Sequence, residues 1–425
     1  MANLLQSLTD AFHSRAPGGN ARVRQWRESA LAQALRVGFP HNKLERWKHA
    51  PLRAMAAKSF APETCTSGID DSALPPTPRV VFVNGRYDAA RSSIEGLAGV
   101  RISRLADALH DEGERASSLL GRAFDDIEAP FASLNTALAD DGLLLDIDAG
   151  DSERPPLHMV FIGSHEAEGS HALRHRIECR EGARLTVIEH HRGGGAALDN
   201  QFWHVHLKPG SRLVHVRLQT LDPRHIQFSR TDAAIAGDAQ YVRLDVETGG
   251  HYVRHELNLN LQGRNATALS GGVLWATGTC TLDTRLVSRH QAPGTASTLI
   301  WRGLADDRSR ANFFGGIRID AGADGSDAAL TNKNLLLSEQ AQINTQPALE
   351  IHADEVKAAH GATVGQIDAG ALFYLRSRGV PEHEAMALLT RAFYAEALTV
   401  LDDDNLFAGL TPYLPVQLQP EGALS

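Results

Sequence analysis

The sequence predicts a mainly β chain in which a stacked β-repeat core lies between two helical ends. Three observations carry this. Residues 157–356 show short alternating apolar runs broken by Gly-containing turns, those turns recur at a nearly constant interval, and apolar residues take helical spacing before and after that stretch.

In chain order, Leu4, Leu5, Leu8 and Phe12 share one helical face, and Val23, Trp26, Ala30 and Leu35 share a second, which Gly38 and Pro40 end. The Pro-rich stretch 74–78 leads into Arg79-Val80-Val81-Phe82-Val83-Asn84-Gly85, a strand entering an Asn-Gly turn. A further helical stretch follows, and 151–156 reads as a linker. The organisation expected is therefore a mostly helical N-terminal part (1–152), a β core (153–362) and a helical C-terminal part (363–425).

Within the core, Gly182, Gly210, Gly237, Gly263, Gly294 and Gly322 mark equivalent turns at steps of 28, 27, 26, 31 and 28 residues. A β-sandwich also spaces its turns regularly, so the length of the step decides. It holds two or three short strands with their turns, which is one coil of a β-solenoid whose inward residues pack only against neighbouring coils. Alternation then points Val205, Leu207, Tyr241, Leu257, Leu259 and Leu261 inward, and His204, His206, Asn258 and Asn260 outward. Such a stack leaves strand edges at its ends, to be capped or used for assembly.

The tail returns to helix. Asp368 is placed to cap a helix through Ala371-Leu372-Phe373-Tyr374-Leu375, which Gly379 ends. Pro381 starts another, with Glu382 and Glu384 in its first turn. Its apolar stripe is Ala385, Leu388, Leu389, Ala392, Phe393, Val400 and Leu401.

Composition narrows the function. The net charge of −9 disfavours a nucleic-acid or anionic-lipid partner. The 3 cysteines, Cys65, Cys179 and Cys280, form no CxxC pair, so no disulfide framework or zinc knuckle is encoded. With no apolar window long enough for a membrane helix, the chain reads as soluble and cytoplasmic. No phosphate loop, GxSxG elbow, HExxH or obvious carboxylate pair is present, leaving a β-solenoid polysaccharide hydrolase or lyase, or a homo-oligomeric structural protein, as the competing classes.

Histidine is abundant, at 20. His204 and His206 share a strand face and could chelate a metal, but read better as solvated outward residues. His190 and His191, beside Gly193-Gly194-Gly195, read as loop, and His251 and His255 form a further close pair. His360 stands apart, at a Gly-flanked junction between the last β-type run and the first capped helix of the tail; its plain reading is a residue bonding the backbone there.

Several stretches resemble the SufB/SufD family of the Suf iron–sulfur cluster assembly system, on the SufD side of that family. They are Leu44-Glu45-Arg46-Trp47-Lys48, Phe82-Val83-Asn84-Gly85, Asn332-Lys333-Asn334-Leu335-Leu336-Leu337-Ser338, residues 347–365 and Phe373-Tyr374-Leu375-Arg376-Ser377-Arg378-Gly379. The resemblance implies a right-handed parallel β-helix flanked by helical parts. It implies a non-catalytic scaffold subunit that pairs with SufB through the β-helix and holds the SufC ATPase on its C-terminal helices, at Phe373, Tyr374, Leu375, Arg376, Ser377, Arg378 and Gly379. It places His360 at the SufB interface, as a transient metal ligand where a nascent cluster forms. No cofactor is implied as permanently bound by this chain alone; reduced flavin in the complex and a homodimer of the isolated chain are left open. Some relatives carry Cys two residues before that histidine, where this chain has Ala358, so the local thiol is missing.

Overall fold

The computed structural model describes residues 3–14, 20–63, 69, 74–110, 119–120, 129–150, 154–415 and 418–419. Cys65, read from the sequence as a loop residue, lies outside them.

The core is a parallel β-solenoid of about 8 turns. One sheet has ten strands. It runs from β2 (Arg86–Tyr87) and β1 (Arg79–Val83) through β5 (Leu157–Gly163), β7 (Arg184–Gly193), β9 (Arg212–Leu221) and β11 (Gln240–Gly249) to β13 (Thr267–Ala276), β15 (Ala296–Ala305), β17 (Asp327–Leu336) and β19 (Lys357–Gly365). The other has nine: β3 (Val100–Arg104), β4 (Leu143–Ile147), β6 (Ser170–Cys179), β8 (Leu198–Leu207), β10 (Ile226–Ile235), β12 (Tyr252–Leu261), β14 (Thr281–His290), β16 (Arg310–Ile319) and β18 (Gln342–Ile351). From β5 on, successive strands alternate between the sheets, so each coil is two strands, and from β6 on each strand stacks in parallel on the one two positions earlier. The antiparallel pairs β1–β2 and β3–β4 close the N-terminal end; among the described residues no strand covers β18 and β19.

The turn repeat is tighter than the glycines suggest. Left-handed backbone recurs at Gly182, Gly210, Asp238, Asn265, Gly294 and Gly322, at steps of 28, 28, 27, 29 and 28 residues. In two coils the second turn position falls to Asp238 and Asn265, after Gly237 and Gly263, because Asp and Asn tolerate that conformation better than other side-chain-bearing residues.

All six residues expected to point inward lie in the central apolar column at 0–2% exposure. The outward set is not simply solvated. Among the described residues eight helices flank the sheets: α1 (Asn3–Ser14), α2 (Ala21–Val37), α3 (Leu52–Ala56), α4 (Leu105–His110) and α5 (Pro130–Leu138) before the repeat, and α6 (Ala369–Ser377), α7 (Glu382–Leu398) and α8 (Asp404–Leu410) after it. The N-terminal group buries outward residues of the nine-stranded sheet, among them Leu198, Ile226, Phe228 and Tyr252. The reading of His204 as solvated is therefore corrected: it is outward but buried. Its imidazole meets Arg174, which also bonds Thr136 of α5. The C-terminal group covers Val214, Val216, Leu218, Val242, Leu244 and Val246 on the ten-stranded sheet with Tyr394, Ala397 and Leu398. Among the described residues no helix is long and apolar enough to cross a membrane.

Candidate functional site

The exposed last coil is the most distinctive surface. His360 on β19 pairs in register with Leu330 on β17, and Leu330 is buried in the central column. His360 thus stands at an inward position with no coil above it; it is exposed, and no hydrogen bond or ion pair reaches its ring among the described residues. Around it the rim is apolar: Val364, Leu349 and Ile351 are exposed at 44, 37 and 43%, sites that inside the solenoid would be core. Beneath it, Asn334 Nδ2 donates to Asn332 Oδ1 (2.6 Å) and to the Thr363 carbonyl (2.9 Å), and Thr345 Oγ1 donates to Asn332 Oδ1 (2.7 Å). The two asparagines, at 0 and 2% exposure, tie the last coil to the one below. Among the described residues β18 and β19 end their sheets with an unpaired edge, and the rim beside them is apolar.

Directly after β19, Asp368 caps α6 by accepting from Ala371 N (2.6 Å), as expected, and Gly379 ends it at φ +88°. α6 buries none of its residues: Phe373 is 73% and Tyr374 57% exposed. α7 instead lies flat on the solenoid. Gly271 on β13 makes this close approach available, since a Cβ there would sit 2.1 Å from the Ala397 carbonyl oxygen. The tail is anchored by α7 and presents α6.

Inside the solenoid lies a polar network that sequence reasoning missed. Glu189, Arg217 and Asp245 stack in register on successive rungs with alternating charge, and Glu247 lies one inward position further along β11. Glu189 takes His215 (2.6 Å), His191 (2.9 Å) and Arg243 (3.0 Å); Glu247 takes Arg217 (3.0 Å) and His255 (2.9 Å). Burial alone would raise the Glu189 carboxyl, but His215 and Arg243 hold it well below the usual range. Asp245, Glu247 and His255 lie within 4.8 Å of one another, yet Arg243 and Arg217 already neutralise the two carboxylates, so the arrangement is a compensated ion network. The loop reading of His190 and His191 is corrected accordingly. Both belong to β7, His191 facing the network and His190 stacking outward on His158.

A family model described as "SUF system FeS cluster assembly, SufBD core domain" matches residues 161–393. The chain is also 30% identical over 416 residues to the iron-sulfur cluster assembly protein SufD of Escherichia coli (strain K12), covering 95% of this chain and 94% of that protein. The chain belongs to the SufBD family. Two further relatives are the iron-sulfur cluster assembly SufBD family protein slr0076 of Synechocystis sp., 26% identical over 85% of this chain and 83% of its own, and the chloroplastic protein ABCI7 of Arabidopsis thaliana, 23% identical over 93% and 86%. Within this SufBD chain the two described cysteines, Cys179 and Cys280, do not substitute for the thiol missing at Ala358. Burial pushes Cys179 up to about 12 and Cys280 up to about 11, which keeps both as inert thiols at neutral pH. Ala358 itself lies in the same inward row as His360, packed against the central column.

Proposed function

We propose that this chain is the SufD-type scaffold half of a Suf assembly complex, stacking its open solenoid end on a SufB partner while its C-terminal helices hold the SufC ATPase. The observation that carries the reading is His360, on the inward row of a coil that nothing covers. An imidazole there can ligate iron or relay a proton near neutral pH. A stable cluster needs several thiolates; Ala358 offers none beside His360 and Cys179 and Cys280 are buried, and in this reading SufB supplies them, with the cluster a transient cargo of the seam. ATP hydrolysis belongs to SufC, and this chain turns over no substrate of its own. The exposed Phe373 and Tyr374 support α6 as the SufC contact. Without SufB, the same edge is open to a second copy of the chain.

Copurification from cells coexpressing all three proteins tests this. Ile351→Lys puts a charge on the rim and should release SufB while SufC stays bound; SufB retained at wild-type stoichiometry would refute the open end as the seam.

A further inference from the structure

A second site lies on the outside of the nine-stranded sheet, near the open end. Here the segment around Trp47 overhangs β14, β16 and β18 and encloses a pocket of about 320 Å³, within the range of small-molecule sites. Arg285 on β14 lies in its wall with the guanidinium over the Phe314 ring, 3.9 Å from the ring centroid. No acceptor or acidic partner bonds it among the described residues. The acids nearby are taken: Asp283 accepts from Arg254 (2.7 Å) and Tyr252 (2.8 Å), and Glu256 pairs with Arg254 (2.9 Å), Arg46 (3.2 Å) and Arg230 (3.3 Å). Arg285 lies near these acids but bonds none of them among the described residues. Burial, then Arg254 and Arg46, push its guanidinium down to about 10, against an upward pull from Glu256 and Asp283, neither of which bonds it.

Asn312, on the neighbouring strand and the same outer face, is 4% exposed. Its side-chain oxygen accepts from Asn344 (2.8 Å), but its Nδ2 has no acceptor. A buried donor left unmet is costly, and Asn312 lines the same pocket as the guanidinium. The exposed Lys48 and His49 line the pocket too, as does one exposed acid, Glu45.

We propose that this pocket binds a small phosphorylated molecule, with phosphate oxygens accepting from Arg285 and Asn312. The planar guanidinium fork suits a phosphate, and the stacking on Phe314 orients it. The pocket extends to Ile343 and Val364 at the rim, so an occupant would lie beside the seam. The site rests on these donors alone and stands whether or not the chain pairs with SufB.

Titration calorimetry on the full chain, with inorganic pyrophosphate as the probe and chloride at matched ionic strength as the control, tests it. The expected result is one saturable site, weakened about tenfold or more in Arg285→Met. Asn312→Asp sets a carboxylate near Arg285; it should abolish binding without lowering the Tm, which covers the case in which Arg285→Met does not fold. No saturable binding to the wild type, or wild-type affinity in either folded variant, would overturn the proposal.

Discussion

Acid should unfold this protein through its buried histidines, and His225 gives a single-site measure of the effect. Its ring is 3% exposed and has no hydrogen bond at either nitrogen. Burial pushes it down to about 4, with Asp199 pulling upward and His171 downward. Because the folded value lies below the unfolded one of about 6.5, the neutral ring's contribution is whole above that pH and drains away as pH falls toward 4. Between pH 7 and pH 5 this one site should cost about 2 kcal/mol of stability. His158 and His290, both lowered to about 4, and His175, lowered to about 3, add losses of the same sign. Together they rival the roughly 5–15 kcal/mol that holds a domain folded. His225→Leu removes the titration without removing a hydrogen bond. Urea unfolding of wild type and variant at both pH values is the assay: the pH-dependent drop should be about 2 kcal/mol smaller in the variant, whatever its absolute stability. Equal drops would refute the reasoning.

Other consequences are as direct. Gly271→Val should destabilise by about 1–3 kcal/mol, because the added Cβ meets the Ala397 carbonyl; limited proteolysis should then release the C-terminal helices first, and a variant as protected as wild type would contradict their docking through α7. Phe373→Ser with Tyr374→Ser should abolish SufC recruitment with the Tm nearly unchanged, since α6 buries nothing; normal recruitment on copurification would remove α6 as the contact. Cys179 and Cys280 should resist a thiol reagent in the folded chain at pH 8 and react on unfolding, as mass spectrometry of each labelled peptide would show; rapid native labelling would contradict their burial.

The alternation Val205-His206-Leu207 and Leu257 to Leu261 made the inward row legible, because one face there is strictly apolar. It was ambiguous where both faces are buried. In β9 the apolar Val214, Val216 and Leu218 face outward under α7, while His215 and Arg217 point into the solenoid. A period of two says that faces differ, and not which one is the core. The interior network was hidden for the same reason. Its signal was the spacing Arg243-x-Asp245-x-Glu247, one face of a strand filled with alternating charge, which is costly on an inward row unless the neighbouring rungs answer it. The C-terminal helices were readable from Asp368, Gly379 and Pro381, whose conformational roles are local. The two donors without acceptors, Arg285 and Asn312, were not, since which acids their neighbours consume depends on contacts between coils.

The most direct test of the central claim is iron and acid-labile sulfide per assembled complex, wild type against His360→Ala, with SufB and SufC stoichiometry and thermal unfolding measured alongside. His360 is exposed and makes no hydrogen bond or ion pair among the described residues, so its loss should leave folding and pairing intact. Iron and sulfide should fall by about 10–100-fold, as for removal of a ligand or its orienting partner. Unchanged iron and sulfide in an intact complex would contradict the role of His360 at the seam.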